Sequence, residues 1–170
     1  VPEQDGGLAT RSGAHAEPTW LTIAGEQYCG ETAGVWCANG VGDEMAEDQR
    51  PDDECSLVFT TEPLDAAVEV LGRPALELRL RSDRPLALVA ARLEDVAPSG
   101  EVLLVSWDML NLTHRESHEN PSELQPGREY DIVFELRACG HRFAPGHHIR
   151  LALSPTYWPH AWPAPEPVAL

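Results

Sequence analysis

The chain of 170 residues contains 8 serines, and none sits in a Gly-x-Ser-x-Gly elbow; no other nucleophile motif takes its place. That removes the usual signature of an acyl-transfer enzyme. No apolar run reaches the roughly 18–20 residues needed to cross a bilayer, and the opening VPEQDGGLATRSGAHAEP has neither the basic end nor the apolar centre of a signal peptide. Basic residues are scarce, 12 against 28 acidic, and the formal charge of −16 repels phosphate backbones and anionic lipid headgroups. Nucleic acid and membrane surfaces are therefore excluded as partners. The four cysteines, Cys29, Cys37, Cys55 and Cys139, form no Cys-x-x-Cys pair, so neither a zinc ribbon nor a thioredoxin-like motif is present. Reduced thiols in a cytoplasmic protein are the plain reading, with a Cys29 to Cys37 disulfide as the alternative.

What the chain does have is alternation. Leu76, Leu78 and Leu80 alternate with Glu77, Arg79 and Arg81; Tyr130, Ile132, Phe134 and Leu136 alternate with Asp131, Glu135 and Arg137. Ile149, Leu151 and Leu153 repeat the pattern after the Pro145-Gly146 turn. Residues 86–96 and 102–112 are apolar on both parities, as central strands covered on both faces are, and Pro98-Ser99-Gly100 between them predicts a hairpin. Cys55 to Thr60 and Trp20 to Ala24 are further strand candidates. Helix is scarce, with one turn expected near Gly42 to Ala46. Six to eight strands at this spacing predict an all-β, two-sheet jelly-roll sandwich. The expected organisation is a flexible lead-in or linker at 1–18 and one domain at 19–170, with a long irregular region at 19–54 and regular strands at 55–170. The apolar pair at the end of WPHAWPAPEPVAL suggests a chain cut from something larger.

Read in order, DQRPDDECSLVFTTEPLDAAVEVLGRPALELRLRSDRP and ALVAARLEDVAPSGEVLLVSWDMLNLTHRESHENPSELQPGREYDIVFELRACGHRFAPGHHIRLALSPTYWP resemble the C-terminal domain of the X-prolyl dipeptidyl-peptidase and cocaine-esterase (CocE/NonD) family of serine hydrolases. The resemblance covers about two-thirds of the chain, carried by the ordered set "FTTEPLDAAVEVLGRP", "RESHENP", "LQPGREYDIVFEL" and the PGHHIRL run. It implies a galactose-binding-domain-like jelly roll placed behind an α/β-hydrolase domain that precedes Val1. The Ser, acid and His of the family lie in that domain, so no catalytic residue is carried over to any position here. The implied role is accessory: packing on the hydrolase domain and covering part of its cleft, with no cofactor and no metal, and with a homo-oligomer contact as a further possibility.

Within the irregular region, Trp36 with Tyr28 and Cys37 is the candidate surface for the hydrolase domain or its cleft, because aromatics dominate interface hot spots; the alternative is that Trp36 plugs an end of the sandwich. Asp48, Gln49, Arg50, Asp52 and Asp53 are expected to fix a loop through Arg50 and carboxylate hydrogen bonds rather than to hold a cation. His114 and His118 have His-x-x-x-His spacing but no helix to aim them, so a hydrogen-bonded loop is preferred to a metal site. His141, His147 and His148 flank the Pro145-Gly146 turn and read as solvated. Trp158 and Trp162 admit a rival reading as an aromatic platform of a carbohydrate- or ligand-binding module. Cys139 reads as an inert, half-buried thiol.

Overall fold

A computed structural model describes residues 20–170 together with the backbone of the two-residue strand at Gly6–Gly7. The expected lead-in at 1–18 otherwise lies outside the described residues. Among the described residues nine strands follow in chain order: β1 (Gly6–Gly7), β2 (Leu57–Thr60), β3 (Val68–Gly72), β4 (Ala75–Arg81), β5 (Leu88–Val96), β6 (Val102–Asn111), β7 (Glu129–Glu135), β8 (Cys139–Phe143) and β9 (His148–Ser154). The only α-helix among the described residues, α1, is a single turn at Arg50–Asp53. The fold is an all-β sandwich.

One layer is a five-stranded sheet in the order β1-β2-β9-β5-β6. Its register places Leu57 opposite Leu153 and Phe59 opposite Leu151, while β5 lies against β9 with Ala91 opposite Leu153. The expected hairpin joins β5 to β6, with a bulge at Leu93/Glu94. The facing layer is built from the antiparallel pair β4–β7, which sets Leu78 opposite Ile132 and Leu80 opposite Tyr130; β3 and β8 form a second antiparallel pair. Period-2 alternation decides which side chains meet: Leu78, Leu80, Tyr130, Ile132 and Phe134 turn inward onto Val89 of β5, and Leu76 and Leu78 reach Ala91, Leu93, Leu151 and Leu153.

The opposite face of the main sheet is also covered. Leu88, Ala90 and Trp107 pack there against Ala33 and Tyr157, so the irregular region and the segment after β9 act as a third layer over β5 and β6. This explains why 86–96 reads as apolar on both parities. It also corrects the expectation for 102–112: β6 is an edge strand of its sheet, with Leu103 half exposed, and its two-sided apolar pattern comes from loops packed on the outer face rather than from a central position. Trp20 to Ala24 forms one bridge, Ala24 to Ala169, instead of a strand. The helical turn expected near Gly42 to Ala46 is a 3-10 turn at Gly42–Glu44.

Ile132, 3% exposed, and Val133, 65% exposed, are neighbours on β7 that point to opposite sides. Ile132→Asp is expected to cost more than about 4 kcal/mol and to abolish cooperative melting, because it places an unpaired charge between the layers. Val133→Asp should change stability by about 0.5 kcal/mol or less. Thermal melts followed by circular dichroism test the register, and comparable losses in the two variants would refute it.

Candidate functional site

The irregular region forms no strand among the described residues; backbone bonds such as Gln49 N to the Val102 carbonyl and Trp158 N to the Cys29 carbonyl tie it down, and side chains add to them. Pro51 sits in the first turn of α1, where its missing N–H costs nothing, and the helix delivers two adjacent carboxylates in different directions. Asp52, buried, accepts hydrogen bonds from Gly30 N (2.9 Å), Thr32 N (3.1 Å) and Thr32 Oγ1 (2.7 Å). It thereby closes the tight turn after Cys29. That turn needs glycine at position 30: its φ is 114°, and a Cβ there would lie 2.4 Å from the Trp158 carbonyl oxygen. Gln49, fully buried, donates from Nε2 to the carbonyls of Thr32 and Glu47, each at 2.8 Å. The loop-fixing role expected of the acidic segment is present, but Asp52 and Gln49 perform it. Arg50 makes only an exposed, local pair with Asp48.

Asp53 turns the other way, into the sheet. It accepts from Arg92 Nη2 at 2.8 Å and from Arg150 Nη1 at 2.6 Å, while Arg92 Nε donates to Glu94 Oε1 at 2.7 Å. Arg92 and Glu94 project from the outer face of β5 and are 1% and 0% exposed. Burial pushes the Glu94 carboxyl up to about 8; Arg92 pulls it down, and the neighbouring Asp53 raises it again. This ionic network pins α1, and with it the irregular region, to β5 and β9. Nothing in the sequence reading singled out Arg92 or Glu94, although two charged residues at i and i+2 in a strand apolar on both parities were the available signal.

On that scaffold the expected surface residues are presented outward, and not all together. Trp36 is 63% exposed. Its ring meets Trp107 edge-on, with centroids 5.8 Å apart and planes at 76°, and Arg137 lies over both rings, 4.3 Å from Trp36 and 3.7 Å from Trp107. His160 packs on Trp107 and Trp36, and burial holds its pKa below the ordinary imidazole range. Arg137 is fixed by its backbone, donating from N to the Trp107 carbonyl and accepting from Ser106 Oγ at its own carbonyl. Cys37 is exposed next along the chain. Tyr28 lies apart from this group: with Trp158 and Trp162 it lines an open cleft of about 480 Å³, in which the two tryptophan rings approach to 5.0 Å. The segment 157–162 borders both surfaces.

The histidines group differently from expectation. His141 Nε2 and His147 Nδ1 each lie 2.7 Å from one oxygen of the buried Asp95 carboxylate, and His148 Nδ1 bonds the Thr61 carbonyl. The solvated-turn reading is thus replaced by a His-Asp-His latch that ties β8 and the turn before β9 to the end of β5. His114 and His118 meet ring to ring, Nδ1 to Nδ1 at 3.3 Å, on an exposed loop. Among the described residues no serine hydroxyl hydrogen-bonds a histidine.

Residues 8–170 match the family described as the X-Pro dipeptidyl-peptidase C-terminal non-catalytic domain. The chain belongs to this family. The cocaine esterase of Rhodococcus sp. (strain MB1 Bresler) is 31% identical to this domain over 120 residues, covering 69% of the chain and 21% of the esterase. A putative Xaa-Pro dipeptidyl-peptidase of Rhodopirellula baltica is 32% identical over 107 residues, covering 58% and 17%. Among solved structures, an α-amino acid ester hydrolase superimposes with a TM-score of 0.83 at 19% identity, covering 96% of the domain and 32% of that chain. An aminopeptidase from a marine-sediment Thaumarchaeota archaeon does so with 0.77 at 20% identity, covering 91% and 31%. The domain thus spans about a fifth of its curated relatives and about a third of the solved chains that share its fold. No described helix is long and apolar enough to cross a membrane.

The buried network makes stability depend on pH in a defined way. Glu94 binds its proton more tightly folded (about 8) than at its ordinary value of 4.5, so its contribution is complete below about pH 4.5 and is lost as pH rises through 8. Glu94→Gln removes that loss. Relative to wild type, the variant should gain about 1 kcal/mol per pH unit between pH 5 and 8, read from denaturant midpoints at pH 5, 6.5 and 8. A difference that does not change with pH would show that Glu94 is ionised throughout.

Proposed function

We propose that this non-catalytic domain packs on an α/β-hydrolase domain of the same polypeptide through the surface carried by its irregular region, and that Trp36, with Tyr28 and Cys37, lines the interface or part of the cleft. The observation that carries the reading is Trp36 itself: a large aromatic that is mostly exposed yet held rigidly by Trp107 and Arg137. A rigid, exposed aromatic is the kind of anchor that a stable interface covers. Packing there would exclude bulk water from an acyl-transfer site and shape its acyl or leaving-group pocket. The whole protein, on this reading, is a cytoplasmic serine hydrolase that cleaves an acyl ester, an amide or an X-Pro peptide through an acyl-enzyme, with the nucleophile outside this chain.

The cleft between Tyr28, Trp158 and Trp162 supports a second reading, an independent carbohydrate- or ligand-binding module, because Trp162 is 82% exposed and its ring is offered to solvent. Glycan binding by the isolated domain would favour it; a hydrolase accessory domain stays silent in that assay.

Hydrolysis of p-nitrophenyl butyrate and Ala-Pro-p-nitroanilide is to be compared for the full-length protein, its Trp36→Ala variant and the isolated domain, with a serine-reactive phosphonate as control. Turnover is expected from the full-length protein alone, and Trp36→Ala should lower its kcat/KM about tenfold. The same substitution should cost the isolated domain no more than about 1 kcal/mol, the worth of one edge-on aromatic pair. Phosphonate-sensitive turnover by the isolated domain would relocate the chemistry to this chain. A large loss of stability there would make Trp36 an ordinary packing residue.

A further inference from the structure

Two buried thiols lie under the irregular region and take no part in the proposed interface. Cys29 is 0% and Cys55 6% exposed. Cys29 ends the segment that enters the first tight turn, and Cys55 follows α1. Both thiols converge on the carbonyl oxygen of Asp52, at 3.6 Å and 3.2 Å, and the two sulfurs and a carboxylate oxygen of Asp52 all lie within 4.8 Å of one another. Two thiolates and a carboxylate at such distances are a metal-ligand set by type, but the surroundings oppose a cation. The Asp52 carboxylate is already committed to three donors from Gly30 and Thr32, and the Arg92 guanidinium stands 3.8 Å from the Cys29 sulfur. A positive group against the sulfur, and a second sulfur within reach, favour thiol chemistry instead.

We infer that Cys29 and Cys55 form a reversible redox pair, whose disulfide joins the irregular region covalently to the end of α1 and is made by a hydroperoxide or by exchange with a small-molecule disulfide. The polarity of the pair is set by its neighbours. The adjoining Cys55 thiol, the Arg92 guanidinium at 3.8 Å and Ser56 Oγ at 3.4 Å bring the Cys29 thiol down to about 6, while the neighbouring Cys29 and burial push Cys55 up; the guanidinium and the hydroxyl both stand against Cys29. Cys29 is therefore the nucleophile and Cys55 the resolving thiol.

With hydrogen peroxide, the Cys29 thiolate attacks one oxygen of the O–O bond; a sulfenic acid forms and hydroxide leaves. The Cys55 sulfur then attacks the Cys29 sulfur, forming the S–S bond and expelling the sulfenic oxygen as hydroxide. The two hydroxides take up the proton lost by Cys55 and one from solvent, the latter balancing the proton that Cys29 released beforehand. Overall, two thiols and one peroxide give one disulfide and two waters, with two electrons passing from sulfur to the peroxide oxygens. The two sulfurs, within 4.8 Å of one another, lie outside the sheet strands, in the turn after the first segment and just after α1.

The test uses the full-length protein in a Cys37→Ser background, which removes the exposed thiol as a source of intermolecular links. Reduced protein is treated with hydrogen peroxide or oxidised glutathione, alkylated after denaturation, digested without reduction and mapped by mass spectrometry. The expected result is a Cys29–Cys55 linked peptide, lighter by two hydrogens than the sum of the free peptides and returned to them by dithiothreitol. The oxidised protein should melt several degrees higher than the reduced one, since the link closes a long loop of the unfolded chain. Cys29→Ser should slow oxidation of Cys55 by more than tenfold. Recovery of both residues fully alkylated, a stable sulfinic acid at Cys29, or a Cys29 to Cys139 link would overturn the inference, and each is read from the Cys37→Ser protein without any Cys29 or Cys55 variant having to fold.

Discussion

One guanidinium decides how this domain presents itself. Arg92 stands in the middle of β5 with almost no exposure, and a buried cation is tolerable only with its partners in place, since loss of one leaves an uncompensated charge. Its partners come from separate parts of the chain: Glu94 from the same strand, Asp53 from α1, and Ser56 from the approach to β2. Asp53 in turn binds Arg150 of β9. Apolar contact alone would leave a loop-rich layer free to slide on a sheet. Directional charge-assisted bonds fix where it sits. Because Asp52 adjoins Asp53, the same helical turn that answers Arg92 also closes the turn at Gly30, and backbone bonds from Gln49 N to Val102 and from Trp158 N to Cys29 hold the same region from its other sides.

The aromatic surface is a consequence of that position. Trp107 belongs to β6 and is covered by Trp36, which the irregular region brings over it; Arg137, anchored on β6 by backbone bonds, lies over both rings. The inner ring is buried and the outer one is left in water. An exposed tryptophan favours association, and the charge of −16 opposes self-association by repulsion between copies.

Much of the fold was legible because alternation is a local signal. Leu76, Leu78 and Leu80, and Tyr130, Ile132 and Phe134, announced β4 and β7 and the faces they bury. The apolar run of β5 announced cover on both sides. What escaped the sequence was what depends on distant partners. The short strands β3 and β8 carry an exposed Leu71 and, in CGHRF, a single large apolar side chain, the buried Phe143, which is too little alternation to read. His141 and His147 were misread as solvated since their partner, Asp95, lies more than forty residues away in the chain. Of the proposed surface, Trp36, Cys37 and Tyr28 are all exposed, and Tyr28 lies in a cleft beside Trp158 and Trp162, because the turn closed by Asp52 separates residue 28 from residue 36. The redox pair was invisible for a related reason. Spacing along the chain pointed to Cys37 as the partner for Cys29, whereas α1 carries Cys55 underneath.

The domain thus separates two tasks between its two kinds of interaction. The space between the layers is apolar, filled by β4 and β7 against β5 and β9, and sets whether the chain folds. The outer face of the same sheet is held by ions, caps and ring contacts, and sets what the folded chain displays. A strand shared by both, β5, makes the division physical: Val89, Ala91 and Leu93 serve one face, and Arg92 and Glu94 the other. Contacts of the displayed loops fall on the ionic layer, and the apolar space lies on the other side of the sheet. On the outer face, at the sulfurs of Cys29 and Cys55 beside Arg92, a chemical change at sulfur reaches the ionic layer directly, because the same guanidinium stands against both the Cys29 sulfur and Asp53.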